Sequence, residues 1–599
     1  MTTSSRLGYS PLIAAFVGLL SASVVHGDET WSGGTNQWDV GNTADWSDST
    51  WSESYDPTTG IVTNPGDAAD FTTTGGTVTV SDTPTSGVAT NELYFQNNNN
   101  GAYDLTDGTI YTDNGYNGTM IEVDNGSGPV TIDSNIDQIN GNATTYAANS
   151  FPGDNQHINN DSASNLTING TLDYENQTTL FMGANSTGKI IFNGTINATT
   201  SGLYTIGGGT VEFGANSNMT ALDSAHNGSN LSLVEANGTV ILDADTFLST
   251  SAFEILGGNG IFLNGAFTGT QNMTDERASG TIGGLQAVES GWSGAIYLDN
   301  GPATQTFSQV AGGRFTYSST ATGPGGVGIN GNNLTYLITS GDGTVVLATG
   351  NSYTDYMPNG QAADGGNLLA DLKAKKTLIT NASGTSAFGG SAGEVQVEAG
   401  KLLGGTGYTG QGQNVVAMDA TSVIEPGDPG DASLGIKPSI GTLNLAGGLV
   451  ANKGVTWDFK LTGGLSTTDG LGNPAPEAGV DNDFLNVGSF TLGGTVTVEL
   501  TALDALATGT VYTLFSDSNS FDTEDVTDFT FVAPTGYALD SSYGASDGLG
   551  DGKDLGYDYE GGVLTVELVA TPEPSTYAMM LGGVALLGFC LRRRAALVL

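Results

Sequence analysis

The sequence predicts an all-β chain wound as a parallel β-helix, and three observations predict it. Short apolar-x-apolar bursts recur along the chain, as half-buried strands do. The clearest bursts begin at Leu166, Ile190, Val211, Val240 and Ile261, at spacings of 24, 21, 29 and 21 residues. A fixed return of that size matches one coil of a solenoid, in which each turn covers the one before. Glycine is 91 of 599 residues, among abundant Thr, Asn, Ser and Asp, so helices are disfavoured and turns frequent. The hydrophobic share of 38% is low, but it is gathered into the bursts, which argues for a folded chain.

The first 27 residues read as a signal peptide. Arg6 gives a positive start, residues 12–20 are apolar, and Val25 and Gly27 frame a cleavage site, with a cut after Ser23 as the alternative. Export through the Sec translocase follows. The sole cysteine, Cys590, lies near the C-terminus, so the exported body must hold together without disulfides. Without residues 1–27 and 572–599 the body keeps 11 basic and 61 acidic residues, a net charge of −50. Such a charge favours solubility and excludes nucleic acid as a partner, since that needs a basic footprint.

Residues 28–110 form a Trp-rich N-terminal segment. Trp31, Trp38, Trp46 and Trp51 stand among turn formers. They suit a cap that packs over the first coil and hides its open edge. The sharper alternative is glycan contact by these four rings. Residues 111–340 carry the coils. Asn169-Gly170 and Asn193-Gly194 follow their bursts directly. Asn-Gly is first a hairpin signal, which would give an antiparallel sandwich. The regular return of the burst favours a β-helix with Asn or Gly in left-handed conformation at the corners. Between Asp28 and Glu276 the only basic residue is Lys189.

Residues 341–450 carry 343–347, 351–354, 395–397, Gly400-Lys-Leu-Leu-Gly-Gly-Thr-Gly407, Glu425-Pro-Gly427 and 440–443. This text resembles the autotransporter-associated β-strand repeat, which implies a right-handed β-helix. It departs from the repeat where 355–360 replace a Gly-Gly turn and where 428–439 are inserted, a loop expected to bulge from one coil. Residues 368–376 read as the one helix-like piece of the body, with Lys373, Lys375 and Lys376 on a solvated face. Residues 451–570 alternate again and form a β-rich C-terminal region.

Residues 571–599 hold Pro572-Glu573-Pro574, an apolar run over 577–591 and Arg592, Arg593 and Arg594. As a helix the run spans roughly 22 Å, short of a bilayer core of about 30 Å. Basic residues hold such an end on the cytoplasmic face. Motif, apolar run and basic end, in that order, resemble the PEP-CTERM sorting signal of Gram-negative bacteria. The resemblance implies transient inner-membrane insertion, cleavage at the motif by an exosortase, and delivery of the body to the cell surface or extracellular matrix.

Catalytic signals are weak. Gly544, Ser546 and Gly548 match a nucleophile elbow, but His26, His157 and His226 all lie upstream. Gly405, Gly407 and Gly410 match a dinucleotide fingerprint without a following helix, so they read as a turn. His157 and His226 lack zinc spacing and read as lone surface residues. No cofactor is expected. Asp547, Asp551, Asp554 and Asp558 offer hard oxygen ligands for a calcium loop, with a solvated acidic loop as the alternative. The expected role is structural, in a biofilm or exopolysaccharide-associated layer. An adhesin that binds glycan, and a neutral-glycan hydrolase working through paired carboxylates, are the rivals.

Overall fold

In the computed structural model the described residues are 29–31, 36–39, 46, 54–56, 61–63, 68–72, 75–81, 87–96, 101–113, 119–139, 156–174, 179–184, 187–198, 202–206, 209–214, 216–217, 231–236, 238–243, 253–255, 260–264, 273–275, 279–293, 296–298, 303–318, 329–331, 334–348, 368–381, 386–388, 393–409, 415–468, 474–518, 529–543, 556–571 and 574–596. Trp51, His26, His226, Pro572, Glu573, the nucleophile-elbow match at 544–548 and three of the four candidate calcium ligands lie outside them.

Most of these residues are in short strands that stack in parallel. One sheet of 17 strands runs nearly the length of the body, opening at Asn36–Trp38 and ending at Phe490–Gly493. It is an open path: each strand pairs with the equivalent strand one coil earlier and one coil later. Leu166 lies beside Ile190, Ile190 beside Val211, Val211 beside Val240 and Val240 beside Ile261. The spacings read from the sequence are therefore the coil lengths. The long spacing before Val240 contains Leu231–Ala236, which belongs to a second, 12-stranded sheet. The hairpin alternative fails here because these neighbours run parallel.

Each coil turns through three faces. In the first half they are the 17-stranded, the 12-stranded and a seven-stranded sheet. One coil, for instance, contains Thr119–Val123, Val130–Ile132 and Asn135–Ile139. From Glu289–Ser293 onward a nine-stranded sheet builds up, and from Tyr408–Thr409 another of seven strands. Inward residues form one continuous core; burial over Leu166–Ile168 alternates inside, edge, inside. A period of two places every other side chain in that core.

Corners are made in two ways. Between the 17- and nine-stranded sheets Gly312, Gly341, Gly400 and Gly454 adopt φ of +77°, +89°, +72° and +90°, with Thr421 at +70° in the equivalent place. There the expected left-handed corner recurs coil after coil; elsewhere it holds at single places such as Asp107, Gly108 and Gly126. Gly170 and Gly194 are not left-handed. They are needed for closeness: a Cβ on Gly170 would meet the Ser134 carbonyl, and one on Gly194 the Gly170 carbonyl, well under 3.0 Å.

At each end of the solenoid one sheet finishes with antiparallel strands. At the start Ser54–Asp56 and Ile61–Thr63 add an antiparallel hairpin to the seven-stranded sheet. At the finish Val563–Ala570 runs antiparallel to Thr510–Asp517, Tyr537–Leu539 and Tyr557–Glu560. Antiparallel strands at these two places give that face an end unlike the edge of a further parallel coil.

The expected helix in the body is overturned as well. The helix-like piece is two strands, Leu368–Leu372 and Lys376–Ile379. Its apolar residues satisfy a period of two as well as a helical one. Ladder pairing on both sides, Tyr336 to Leu369 and Ala370 to Val395, decides in favour of strand. Lys373 at the turn is ion-paired to Asp371 and lies 3.7 Å from Glu398, which raises its pKa.

Candidate functional site

The tail is the candidate site that the sequence marks most clearly. A helix runs over Pro574–Ala596, longer than the expected apolar run at both ends. Pro574 opens it at the first helical position, where its missing N–H has no partner to lose. Met579, Leu581, Val584, Leu587 and Leu591 are all more than 60% exposed, and Gly582, Gly583 and Gly588 have nothing within 4 Å of a built Cβ. A helix apolar on every side and uncovered by the body matches an apolar solvent better than water. Among the described residues no helix is long and apolar enough to cross a membrane. Arg592 is exposed at the end of the apolar run; Arg593 and Arg594 continue the helix.

The N-terminal tryptophans are in the core. Trp31 and Trp38 are 0% and Trp46 4% exposed. Trp46 packs against Trp31 at 5.2 Å and Trp38 at 5.3 Å between centroids, and Phe71 and Phe95 extend the cluster at 4.7 Å. Glycan contact at Trp31, Trp38 and Trp46 is thereby corrected: a ring with no free face cannot stack on a sugar. Among the body residues whose burial is described, no Trp or Tyr side chain is exposed.

Of the calcium candidates, Asp558 sits in the strand Tyr557–Glu560 opposite Thr565, so it is not part of a ligating loop. Asp547, Asp551 and Asp554 lie outside the described residues. Among the described residues no group of three His, Cys, Asp or Glu side chains is placed to hold a metal ion. His157 is half-buried in Gln156–Asn160, not on the open surface, and burial lowers its pKa. Gly405 ends one strand at φ +107° and Tyr408–Thr409 follows, so the fingerprint match is a turn.

Polar ladders run along the coils. Asn193 donates to Asn169 at 2.8 Å and Asn169 to Asp133 at 2.6 Å. Asn264 donates to Asp243 at 2.8 Å. Lys189 pairs with Glu212 one coil on, at 2.6 Å. Stacking like positions lets each amide satisfy its neighbour.

The insertion at 428–439 does bulge from one coil, as an arm. Asp428 and Ser439 bridge its base and Asp431 and Ile436 its tip around the short turn Ala432–Leu434. It lies back over earlier coils: Arg314 pairs with Asp428 at 2.7 Å, Lys376 donates to the Gly430 carbonyl at 2.9 Å, and Ser433 to Gly312 at 3.1 Å.

Sequence reasoning missed the most buried charged cluster. Lys460 Nζ lies 2.8 Å from Glu425 Oε1 and 3.1 Å from Asp483 Oδ2, and donates to the Pro426 carbonyl at 3.1 Å. The three side chains are 3%, 9% and 0% exposed. Asp483 Oδ1 accepts from the Gly441 N–H at 2.9 Å, and Oδ2 from the Lys460 N–H at 2.8 Å. Burial raises Asp483 to about 7 against the pull of Lys460 and the two N–H donors. Burial also raises Glu425. For Lys460 burial acts downward, and the Asp483 and Glu425 carboxylates overcome it. One signal was available: Lys460 is the only basic residue between Lys453 and Lys553, and it interrupts an otherwise apolar strand end.

Residues 570–594 match the PEP-CTERM protein-sorting motif. No curated protein and no solved structure matches the chain. The match makes the chain an exported protein that is sorted through an exosortase, by membrane-anchored sorting of the kind found in Gram-negative-type bacteria.

Proposed function

We propose that the body is a structural rod of the cell surface or extracellular matrix, freed from the inner membrane by cleavage at Pro572-Glu573-Pro574. The observation that carries this reading is the single parallel sheet of 17 strands joined to a sorting tail. At about 4.8 Å per strand that sheet is roughly 75 Å long. A right-handed winding fits the strong preference of parallel crossovers. Large apolar side chains exposed on the described body are scattered singly, at Leu285, Val480, Leu503 and Val532, so the faces are polar. Polar faces and acidic charge suit a soluble element embedded in hydrated exopolysaccharide. The burial of Trp31, Trp38 and Trp46 in the core favours this role over a glycan-stacking adhesin. The buried carboxylates Glu425 and Asp483 are both ion-paired to the same lysine, which favours it over a hydrolase with two free carboxylates.

Replacing Pro572, Glu573 and Pro574 together by Ala tests the sorting half. The full-length chain is expected in the inner-membrane fraction and absent from the medium and matrix. Release equal to that of the parent defeats that half. Small-angle scattering of released protein tests the other half: an elongated particle is expected, and a compact one defeats the rod.

A further inference from the structure

We propose that Lys460 and Asp483 join by an amide bond that the folded chain makes by itself, a covalent staple across one corner of the solenoid. Lys460 Nζ, the nucleophile, already lies 3.1 Å from Oδ2 of the Asp483 carboxyl group it attacks, within an enclosed site. Asp483 stands at the entrance to Phe484–Val487, and Lys460 near the end of Thr456–Leu461, so the bond ties two faces of the solenoid together.

The surrounding groups supply what the reaction needs. Bringing an amine and a carboxyl together in fixed geometry replaces a bimolecular encounter by an intramolecular one. Gly441 N–H points at Asp483 Oδ1, where negative charge develops when the amine adds to the carboxyl carbon. Glu425, 2.8 Å from Nζ, is the proton carrier. A dry site favours neutral over charged forms. With Asp483 held to about 7, a sizeable share of its carboxyl is protonated near neutral pH.

The atoms balance as follows. Nζ gives a proton to the Glu425 carboxylate and its lone pair attacks Cγ of protonated Asp483. One C–N bond forms, and the C–Oδ2 bond breaks with loss of water. Of the three Nζ protons, one stays on the amide, one leaves with the water beside the carboxyl proton of Asp483, and one remains on Glu425. No oxidant or reductant takes part. Asp483 is the acceptor, and not Glu425, because Asp483 alone of the two has a backbone N–H on the oxygen that becomes anionic. The bond serves a body that has no cysteine and so no disulfide to use.

Trypsin reads the outcome on the full-length chain. It cuts beside Lys453, Lys460 and Lys553, the only basic residues in that stretch, and it does not cut at an acylated lysine. The expected product is one peptide, 454–553, lighter by one water, with fragment ions that place the loss between Lys460 and Asp483. Separate peptides 454–460 and 461–553 of full mass overturn the proposal. So does a loss that maps to one of the Asp-Gly pairs, such as Asp551-Gly552. A cross-link to the peptide beginning at Leu402, which holds Glu425, overturns the choice of Asp483. Glu425→Gln keeps the size of the side chain and is expected to lower the linked fraction at early times at least tenfold, with an unchanged β spectrum. Linking at the parent rate overturns the role given to Glu425. Should that variant fold poorly, the parent digest alone decides.

Discussion

Gly194 tests the stacking argument most directly. Its neighbour one coil back is Gly170, whose carbonyl leaves no room for a Cβ. In Gly194→Ala the two coils must part locally by roughly 1.5 Å before carbon and oxygen reach ordinary contact. Three hydrogen bonds close to that point cannot follow. They are Asn193 N–H to the Ile168 carbonyl, Leu172 N–H to Thr195, and the Asn193 amide to Asn169, each at 2.8 Å. At about 1 kcal/mol each, the expected loss is about 3 kcal/mol. Gly464 is the control. Its φ is not left-handed, and a Cβ there would lie 3.6 Å from Thr462 Oγ1, ordinary contact. Gly464→Ala should be neutral or stabilising by up to ~1 kcal/mol, through the unfolded chain. Solenoids unfold by neighbouring repeats, so the assay is hydrogen exchange peptide by peptide alongside chemical denaturation. The expected pattern is faster exchange over Leu166–Ile168 and Lys189–Phe192 in Gly194→Ala. Equal protection and equal midpoints for the two variants refute close stacking as the reason for glycine at 194.

Other perturbations address other parts of the molecule. Trp31→Ala should cost about 3–5 kcal/mol, because it opens a cavity in the buried aromatic cluster; a midpoint within error of the parent would remove the ring from the core. In chain that has not linked Lys460, Asp483 binds a proton in the folded state up to about pH 7 and, once unfolded, only up to about pH 4. The folded state then holds the extra proton, so stability should fall as pH rises from about 4 to about 7, by an order of ~4 kcal/mol. Denaturation midpoints across that range check it, and an equal slope in Asp483→Asn would reassign the effect to overall charge. Sodium chloride should raise the melting temperature, since like charges about 4.8 Å apart repel by about 1 kcal/mol in water and salt screens them. If Asp547, Asp551 and Asp554 coordinate calcium, millimolar calcium should raise it further than sodium at matched ionic strength; equal effects would leave screening alone.

Much of the fold was legible because a parallel stack repeats its inward residues at the coil length. Leu166, Ile190, Val211, Val240 and Ile261 could be aligned from spacing alone, and the ladder register pairs those same residues. Residues 368–376 were misread because Leu368, Leu369, Ala370 and Leu372 fit both periods, and only neighbouring coils distinguish them. The corner rule was half right. Asn-Gly at 169–170 and 193–194 marks close backbone approach, while positive φ is concentrated on the corner that includes Gly312, Gly341 and Gly400. Either need selects glycine, so the letter cannot say which is at work. The tail was legible because its signal is local: motif, apolar run and basic end lie within 29 residues. The Lys460 cluster was not, because Glu425 and Asp483 are 35 and 23 residues from Lys460 and meet it only when two faces close. A repeating core can be read from spacing because every coil states it again. A polar cluster occurs once, in one corner, and only the closed coil brings its members together.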